Sequence, residues 1–529
     1  MKSGRISIYD TTLRDGSQSE GVAFSSEDKL LMLGRLDRLG VDYIEGGWPH
    51  PSNPKEIEFF RAAAKRELAH ARLVAFGSTR RAGRAAARDE SLKSLLAART
   101  PAVAVFGKSW DLHVHKVLRT SLEENLKMIR DSVALMKHAR KEVIFDAEHY
   151  FDGWRSNPDY AINTIKAAEE AGADWVVLCD TNGGSTPDGI REAVMAAKRE
   201  LSVPFGIHAH NDSDCAVANS LVAVACGASQ VHGTVNGLGE RCGNANLCSV
   251  IPNLKIKMGI DCVSEAQMKE LRSVSLFVTE LATRPPRDEM AYVGESAFTH
   301  KAGVHVHAVE RLPAAYEHIA PDRVGNRRRI LVSDQAGLAT VRWKAEGYGL
   351  KFGKNDRRNK KILAELKRLE QQGFHFEGAE ASFEMMVRRL MGKYRPYFEL
   401  IDYRVSVEQV VGESAVSEAT LKIRVDGVPE HTVAEGDGPV NALDNALRKG
   451  LKRFYPEVSG MRLVDYKVRV INPQAATAAK VRVGIESTDG RDVWSTVGVS
   501  ENIIDASWQA LSDSVSYKLF RSRGIRRQS

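Results

Sequence analysis

The feature that most constrains this chain is an alternation. From the amino terminus to about residue 260, short apolar or β-branched runs alternate with helical patterns, eight times over. The strand candidates are residues 5–10, 42–47, 72–77, 102–107, 142–148, 174–180, 204–210 and 229–235. Between them lie amphipathic stretches such as residues 25–40, where Leu30, Leu33, Leu36 and Leu39 recur at helical spacing and Gly40 supplies the stop. Strands alternating with helices require a parallel sheet, and eight repeats in so short a span fit a (β/α)8 TIM barrel better than an open sheet. The expected fold class is therefore α/β, with the barrel over residues 1–275. The third helix, expected around residues 80–98, is rich in Arg and Ala and the most weakly patterned.

A chain of 529 residues exceeds what one core sustains, so further domains are expected. Residues 276–397 read as a helical linker region interrupted by the basic segment 351–361, and residues 398–529 have a different texture. There, TLKIRV (420–425) and KVRVGI (480–485) alternate apolar and polar residues. Each is followed by an Asp-Gly hairpin signal and then a helix, from Asn441 and from Asn502. The repeated order reads as an internal duplication and predicts a C-terminal α+β domain suited to assembly or regulation.

The formal net charge of +7 is local. The basic segment carries six basic residues and Asp356, and Arg521, Arg523, Arg526 and Arg527 crowd the tail, so the rest of the chain is slightly acidic. That pattern describes a solvated linker and a basic tail, not a nucleic-acid surface. No run is long enough for a membrane span, and MKSGRISIYD passes straight into a strand pattern without an apolar signal core, so a soluble, cytoplasmic protein is expected. The six cysteines show no CxxC and no disulfide-like framework, which reads as reduced thiols.

Polar groups gather at the carboxyl ends of the strand candidates, where barrel active sites are built. Strand 1 leads to Arg14 and Asp15, strand 5 ends at Glu148, strand 6 leads to Asp180 and Thr181, strand 7 ends in HAHND, and NGLGERCGNAN follows strand 8. His208 and His210 stand two apart on a strand, so both side chains leave one face and can hold one cation, although buried histidine pairs also occur without metal. With Asp15 and Asn244 they form an N2O2 set free of thiolate, which favours Mg2+, Mn2+ or Zn2+ as a Lewis acid over a structural zinc. Arg14 reads either as a salt-bridge partner of Asp15 or as the guanidinium that stabilises charge developing beside the metal. Glu148 reads either as a capped structural carboxylate or as an acid–base group. Cys242 and Cys248, beside Asn244, have no basic partner to ionise them and read as bystanders.

The run YDTTLRDGSQ, with HAHND and GERCGNAN at these separations, resembles the DRE-TIM metallolyase superfamily, specifically its isopropylmalate, homocitrate and citramalate synthases, over nearly the whole chain. The phrases GWPHPSNPKE, FGKSWDLHV, DAEHYFDG, LCDTNGG, THKAGVHVHAV and LVSDQAG are most similar to the citramalate-forming branch. The resemblance implies metal ligands at Asp15, His208, His210 and Asn244, a catalytic arginine at Arg14, a catalytic glutamate at Glu148 and a substrate-contacting threonine at Thr181. It further implies that THKAGVHVHAV delivers His305, and Tyr316 eleven residues on, to the partner subunit's active site, with His300 and His307 as alternatives. Asp214 departs from the small residue expected there. It is expected in the first turn of the following helix, where a carboxylate suits the dipole.

The resemblance implies the reaction as well. Acetyl-CoA would condense with a 2-oxo acid, pyruvate above all, in a homodimer whose C-terminal domain binds a branched-chain amino acid, isoleucine being the logical effector. The 2-oxo acid would chelate the metal, Glu148, acting through His305, would take the methyl proton, Arg14 and the metal would stabilise the alkoxide, and thioester hydrolysis would drive the sequence forward. An isopropylmalate or homocitrate synthase would keep this catalytic set and change the acceptor pocket. A hydroxymethylglutaryl-CoA-type lyase would share the barrel and lack the duplicated tail, and a non-enzymatic regulator would not keep a candidate for every catalytic role.

Overall fold

Eight parallel strands close into a barrel in sequence order in the computed structural model, which describes residues 4–332, 336–350, 352–353, 356–409, 415–471, 474 and 479–524. They are β1 (Ser7–Asp10), β2 (Tyr43–Gly47), β3 (Arg72–Ser78), β4 (Ala102–Lys108), β5 (Glu142–Glu148), β6 (Trp175–Asp180), β7 (Phe205–Ala209) and β8 (Gln230–Gly233), with β8 paired back onto β1. Inward-facing Tyr9, Val74, Ala104, Ile144 and Val177 fill the barrel, and a larger apolar layer lies between strands and helices. The helix Ser26–Leu39 shows how sequence and boundary agree. Ser25 and Asp28 form a reciprocal capping box at its start, and Gly40 ends it at φ +84°, a left-handed conformation suited to glycine. Leu33, Leu36 and Leu39 are buried along the predicted stripe.

Two local expectations are corrected. The helix expected over 80–98 is confined to Glu90–Ala97, capped by Asp89, whose side chain accepts from the amides of Ser91 and Leu92. The preceding residues are held differently: Arg80 is buried and its guanidinium bonds Glu124 and Asp131, which explains an Arg-rich stretch with no helical stripe. Asp214 lies ahead of the helix Ala216–Cys226 and not in its first turn. The Asn211 side chain takes the capping role, accepting from the Ala216 amide at 3.1 Å, and Asp214 sits at φ +56° with its carboxylate accepting from Asn211 at 3.1 Å.

The chain divides into two compact units, Met1–Phe298 with Ile319–Arg328, and Thr299–His318 with Arg329–Ser529. In the second, β9 (Thr299–His300) pairs with β10 (Arg329–Ile330), and the helices Leu338–Gly347, Arg357–Gln371 and Glu380–Leu390 share an apolar core. Two three-stranded antiparallel sheets follow. β11 (Glu399–Glu408), β12 (Val416–Val425) and β13 (Val428–Gly436) precede the helix Pro439–Lys452, and β14 (Arg462–Val470), β15 (Val481–Thr488) and β16 (Val493–Ser500) precede the helix Ile503–Gly524. The Asp-Gly pairs at 426–427 and 489–490 turn the hairpins as expected, with Asp426 and Gly427 both at positive φ. Both halves shift register at the same place, between Leu400 and Asp402 and between Leu463 and Asp465, so the duplication extends to an irregularity.

Parts of three expectations lie outside the described residues: Lys351, Lys354 and Asn355 of the basic segment, Ser333 to Gln335 of LVSDQAG, and the tail's Arg526 and Arg527. The described end of the basic segment opens the helix Arg357–Gln371, with Asp356 as its cap. Among the described residues no helix is long and apolar enough to cross a membrane, and all six cysteines are unpaired.

Candidate active site

The carboxyl ends of the barrel strands surround a cavity of about 400 Å3 lined by Arg14, Asp15, Asp146, Glu148, Thr181, His208 and His210 among others. The turn after β1 supplies Arg14 and Asp15. Their neighbour Glu45, fully buried on β2, accepts from the Tyr9 hydroxyl at 2.7 Å, the Thr11 hydroxyl at 2.6 Å and Nε of Arg14. The guanidinium stacks 3.9 Å above the Phe76 ring and donates from Nη1 to Asp15 at 3.0 Å. The side chain of Arg14 serves a salt bridge and lines the cavity at once. It is paired with Asp15, and its Nη2 keeps its hydrogens for the cavity. Glu45 was not singled out from sequence, although a lone acid inside a buried strand run is a legible signal.

His208 and His210 leave the same face of the chain at β7, with Nε2 atoms 3.6 and 3.8 Å from Oδ2 of Asp15. One ligand atom from each of Asp15, His208 and His210 lies within 4.8 Å of the others. Asn244 reaches the cluster through a bridge between its backbone and that of His210, and its Nδ2 donates to Asp15 at 2.9 Å. The loop holding it is tight: a Cβ at Gly243, at φ +88°, would lie 1.9 Å from the Gly237 carbonyl oxygen. Two buried atoms in this cluster, Nδ1 of His210 and Oδ1 of Asn244, have no hydrogen-bond partner, and a half-turn of the amide exchanges Oδ1 with Nδ2.

The protonation states suit a cation. Burial pushes the Asp15 carboxyl up, but Arg14 and then His210 and His208 outweigh it and hold the group well below the usual carboxylate range. Burial, followed by the neighbouring His210, pushes His208 down to about 3, and burial likewise lowers His210. One carboxylate and two neutral imidazoles are the forms in which these side chains donate to a metal. Burial pushes the Cys248 thiol up to about 12, which disfavours the thiolate.

Glu148 closes β5 with its carboxylate against the Lys108 ammonium from the end of β4, directly across the register. Lys108 belongs to the FGKSWDLHV phrase and was not singled out from sequence. The Thr181 hydroxyl accepts from the His149 amide at 2.9 Å, which fixes its position at the cavity wall. In the second unit the three candidate histidines separate by environment. His300 is buried with Nε2 3.2 Å from Glu317, His307 is half-buried, and His305 is exposed with its ring stacked on Tyr316 at 4.1 Å.

Comparison with known proteins agrees along the chain. Residues 5–278 match the HMGL-like family model, 292–373 the homocitrate synthase post-HMGL domain-like model and 377–519 the LeuA allosteric (dimerisation) domain. The (R)-citramalate synthase of Geobacter sulfurreducens is 52% identical over 521 residues, covering 98% of both chains. That of Aquifex aeolicus is 53% identical over 519 residues, again 98% of both. A probable 2-isopropylmalate synthase of Methanopyrus kandleri is 33% identical over 519 residues, 98% of this chain and 99% of its own. The chain belongs to the HMGL-like family and, within it, to the branch of isopropylmalate, homocitrate and citramalate synthases that carries the LeuA domain.

Proposed function

We propose that this protein condenses acetyl-CoA with pyruvate to give (R)-citramalate and CoA, a step towards isoleucine and the branched-chain amino acids. The observation that carries the reaction class is one cavity holding the Asp15, His208 and His210 cluster beside Arg14 and Glu148. The choice of pyruvate follows the relatives at half identity, which are (R)-citramalate synthases. The Phe76 and Phe106 rings, stacked at 5.1 Å, give that cavity an apolar wall against which an acceptor methyl group can pack.

Asp15, His208, His210 and Asn244 would hold a divalent cation, Mn2+, Mg2+ or Zn2+, and the unpartnered Oδ1 of Asn244 with the two neutral imidazoles fits that role. When bound, such an ion supplies Lewis acidity towards the oxygens of the 2-oxo acid. Glu148, paired with the Lys108 ammonium, takes the proton from the acetyl methyl group. Arg14, fixed by Glu45 and Phe76, presents Nη2 to the oxygen on which negative charge grows as the carbon–carbon bond forms. Thr181 orients the acceptor. Water then hydrolyses the thioester, which makes the sequence irreversible.

The domain division 1–275, 276–397 and 398–529 is part of the same proposal, with the middle segment bringing His305 and Tyr316 to the active site of a partner subunit in a cytoplasmic homodimer. Exposure of both rings supports a role outside their own unit. Isoleucine is the effector assigned to the C-terminal domain. The test is CoA release measured across pyruvate, 2-oxoisovalerate and 2-oxoglutarate at equal protein. The expected result is a kcat/KM for pyruvate at least tenfold above the others, and a preference for either larger acceptor overturns the assignment.

A further inference from the structure

One group in the cavity is left without a role. Asp146 lies on β5, two residues before Glu148, so both side chains leave the inner face of the strand and line the same cavity. Its backbone neighbours are Phe106 on β4 and Val177 on β6. The side chain is 5% exposed, and its Oδ1 is buried with no hydrogen-bond partner. A buried carboxyl without a partner is costly unless a ligand completes it. The ligand here, on the reading above, is a 2-oxo acid, whose carboxylate and keto oxygens only accept hydrogen bonds. An ionised Asp146 would meet it with repulsion, whereas a carboxylic acid would meet it with a donor.

We propose that Asp146 is a catalytic residue which, as a carboxylic acid, hydrogen-bonds the keto oxygen of the acceptor and delivers its proton to that oxygen as the carbon–carbon bond forms. The surroundings favour the acid form. Burial comes first and Glu45 on β2 second in pushing the group well above the usual carboxylate range, Arg14 opposes them, and Glu148 and Asp15 add to the rise. Tyr9 on β1 and Cys179 on β6, two further titratable groups that interact with it, are both pushed up by burial and stay neutral. Two carboxyl groups on one strand face, one buried without a partner for its Oδ1 and one set against the Lys108 ammonium, have the divergent environments that separate an acid from a base.

The proton count closes. Glu148 breaks a methyl C–H bond and gains a proton. The methyl carbon bonds the keto carbon, the carbonyl π pair moves to oxygen, and that oxygen takes the proton from Asp146. Glu148 then carries one proton too many and Asp146 one too few, and transfer between these neighbours restores both without an outside acid. Hydrolysis of the thioester uses a separate water.

This inference rests on the proposed condensation, and the test separates the two. Asp146→Asn keeps size and a hydrogen-bond donor but has no transferable proton, and Asp146→Ala removes both. Each variant should melt within a few degrees of wild type. Each should lose on the order of 10² to 10⁴ in kcat, with KM for pyruvate within a few fold for the Asn variant. The discriminating readout is deuterium. During partial turnover in D2O, residual acetyl-CoA recovered from the variants should carry more methyl deuterium per product formed than that from wild type, because an enolate denied its proton donor returns to acetyl-CoA. An Asn variant retaining more than about a tenth of wild-type kcat overturns the proposal. So does a loss of kcat with no gain in methyl deuterium, which would place Asp146 at enolisation or in support of Glu148. If wild type prefers another 2-oxo acid, the substrate assignment fails, and the same comparison with that acceptor still decides the role of Asp146.

Discussion

The barrel and the C-terminal sheets handle polar and apolar groups in opposite ways. In the closed parallel barrel, Asp15, Glu45, Asp146, His208 and His210 are all buried; all but Glu45 line the cavity at the carboxyl ends of the strands, and Glu45 accepts from Arg14 there. In the C-terminal sheets the charged side chains pair in the open, Lys422 with Asp402 at 3.1 Å and Arg424 with Glu399 at 3.3 Å, each partly exposed. What these sheets leave unfinished is apolar: Val407 on the edge strand β11 and Val464, Val468 and Val470 on the edge strand β14 are roughly half exposed. Exposed ion pairs contribute about 0.2 to 1 kcal/mol each, whereas burying an unpaired charge costs several. The barrel thus accepts a stability cost to concentrate charge where a reaction can use it. The C-terminal sheets accept exposed apolar edges, which a second subunit can cover, as their match to the LeuA dimerisation domain leads one to expect.

The sharpest test of the barrel half of this contrast removes ligands from its charged end. His208→Ala and His210→Ala should each abolish detectable CoA release, and chelator-treated wild type should be inactive and recover with Mn2+ or Mg2+. Full activity in metal-free protein would reduce the cluster to buried structural histidines. The next largest effect belongs to Arg14. Arg14→Lys should lose on the order of 10² to 10³ in kcat, because an ammonium carries its donors on one nitrogen and cannot place them where Nε, Nη1 and Nη2 of the guanidinium lie. Near-normal turnover would make the Glu45 and Phe76 contacts purely structural.

The C-terminal half of the contrast is tested by complementation, with a smaller effect. If the exposed sheets bring two subunits together and His305 serves the partner's site, mixing His208→Ala with His305→Ala subunits gives heterodimers with one site intact in both parts. A two-fold interface then restores about half of wild-type activity per heterodimer. Native mass spectrometry would establish that heterodimers form. Heterodimers as inactive as their parents would confine His305 to its own subunit or leave it without a role.

Much of this was legible because periodicity reports burial. The eight strand positions, the capped first helix and the two Asp-Gly hairpins all follow from local patterns, and Asp15, His208 and His210 follow from their place at strand ends. What escaped notice depends on contacts across the fold. Glu45 and Asp146 sit inside apolar strand runs and gain meaning only when the barrel closes. Lys108 is tied to Glu148 by register and not by spacing along the chain. Strands β11 and β14 were not singled out from sequence, because each lies at a sheet edge and exposes residues on both faces, which blurs the alternation. The stretch from Arg80 to Asp89 looked helical in composition, but Arg80 is spent on Glu124 and Asp131.

The smallest effect concerns the cost of burial itself, and it compares one aspartate from each region. Asp10, at the end of β1, is fully buried, and burial raises its pKa to about 7 against the opposing hydrogen bonds from the Thr12 amide and hydroxyl, both at 2.9 Å. Its folded pKa lies above the ordinary aspartate value of 3.8, so the folded state holds more protons than the unfolded state between those two values. Its contribution to stability is therefore fully present below about 3.8, falls as pH rises through the window and is lost above about 7. The full span is on the order of 4 kcal/mol at about 1.4 kcal/mol per pH unit. Asp10→Asn keeps an oxygen for the Thr12 amide and removes the titration. At pH 5 the variant and wild type should melt within a degree or two of each other, and at pH 8 the variant should melt several degrees higher. Asp402→Asn, which removes only an exposed pair with Lys422, should move the melting temperature by about a degree or less at either pH. A pH-independent difference at Asp10, or a pH-dependent one at Asp402, would erase the distinction between a barrel that bears the cost of buried charge and sheets that do not.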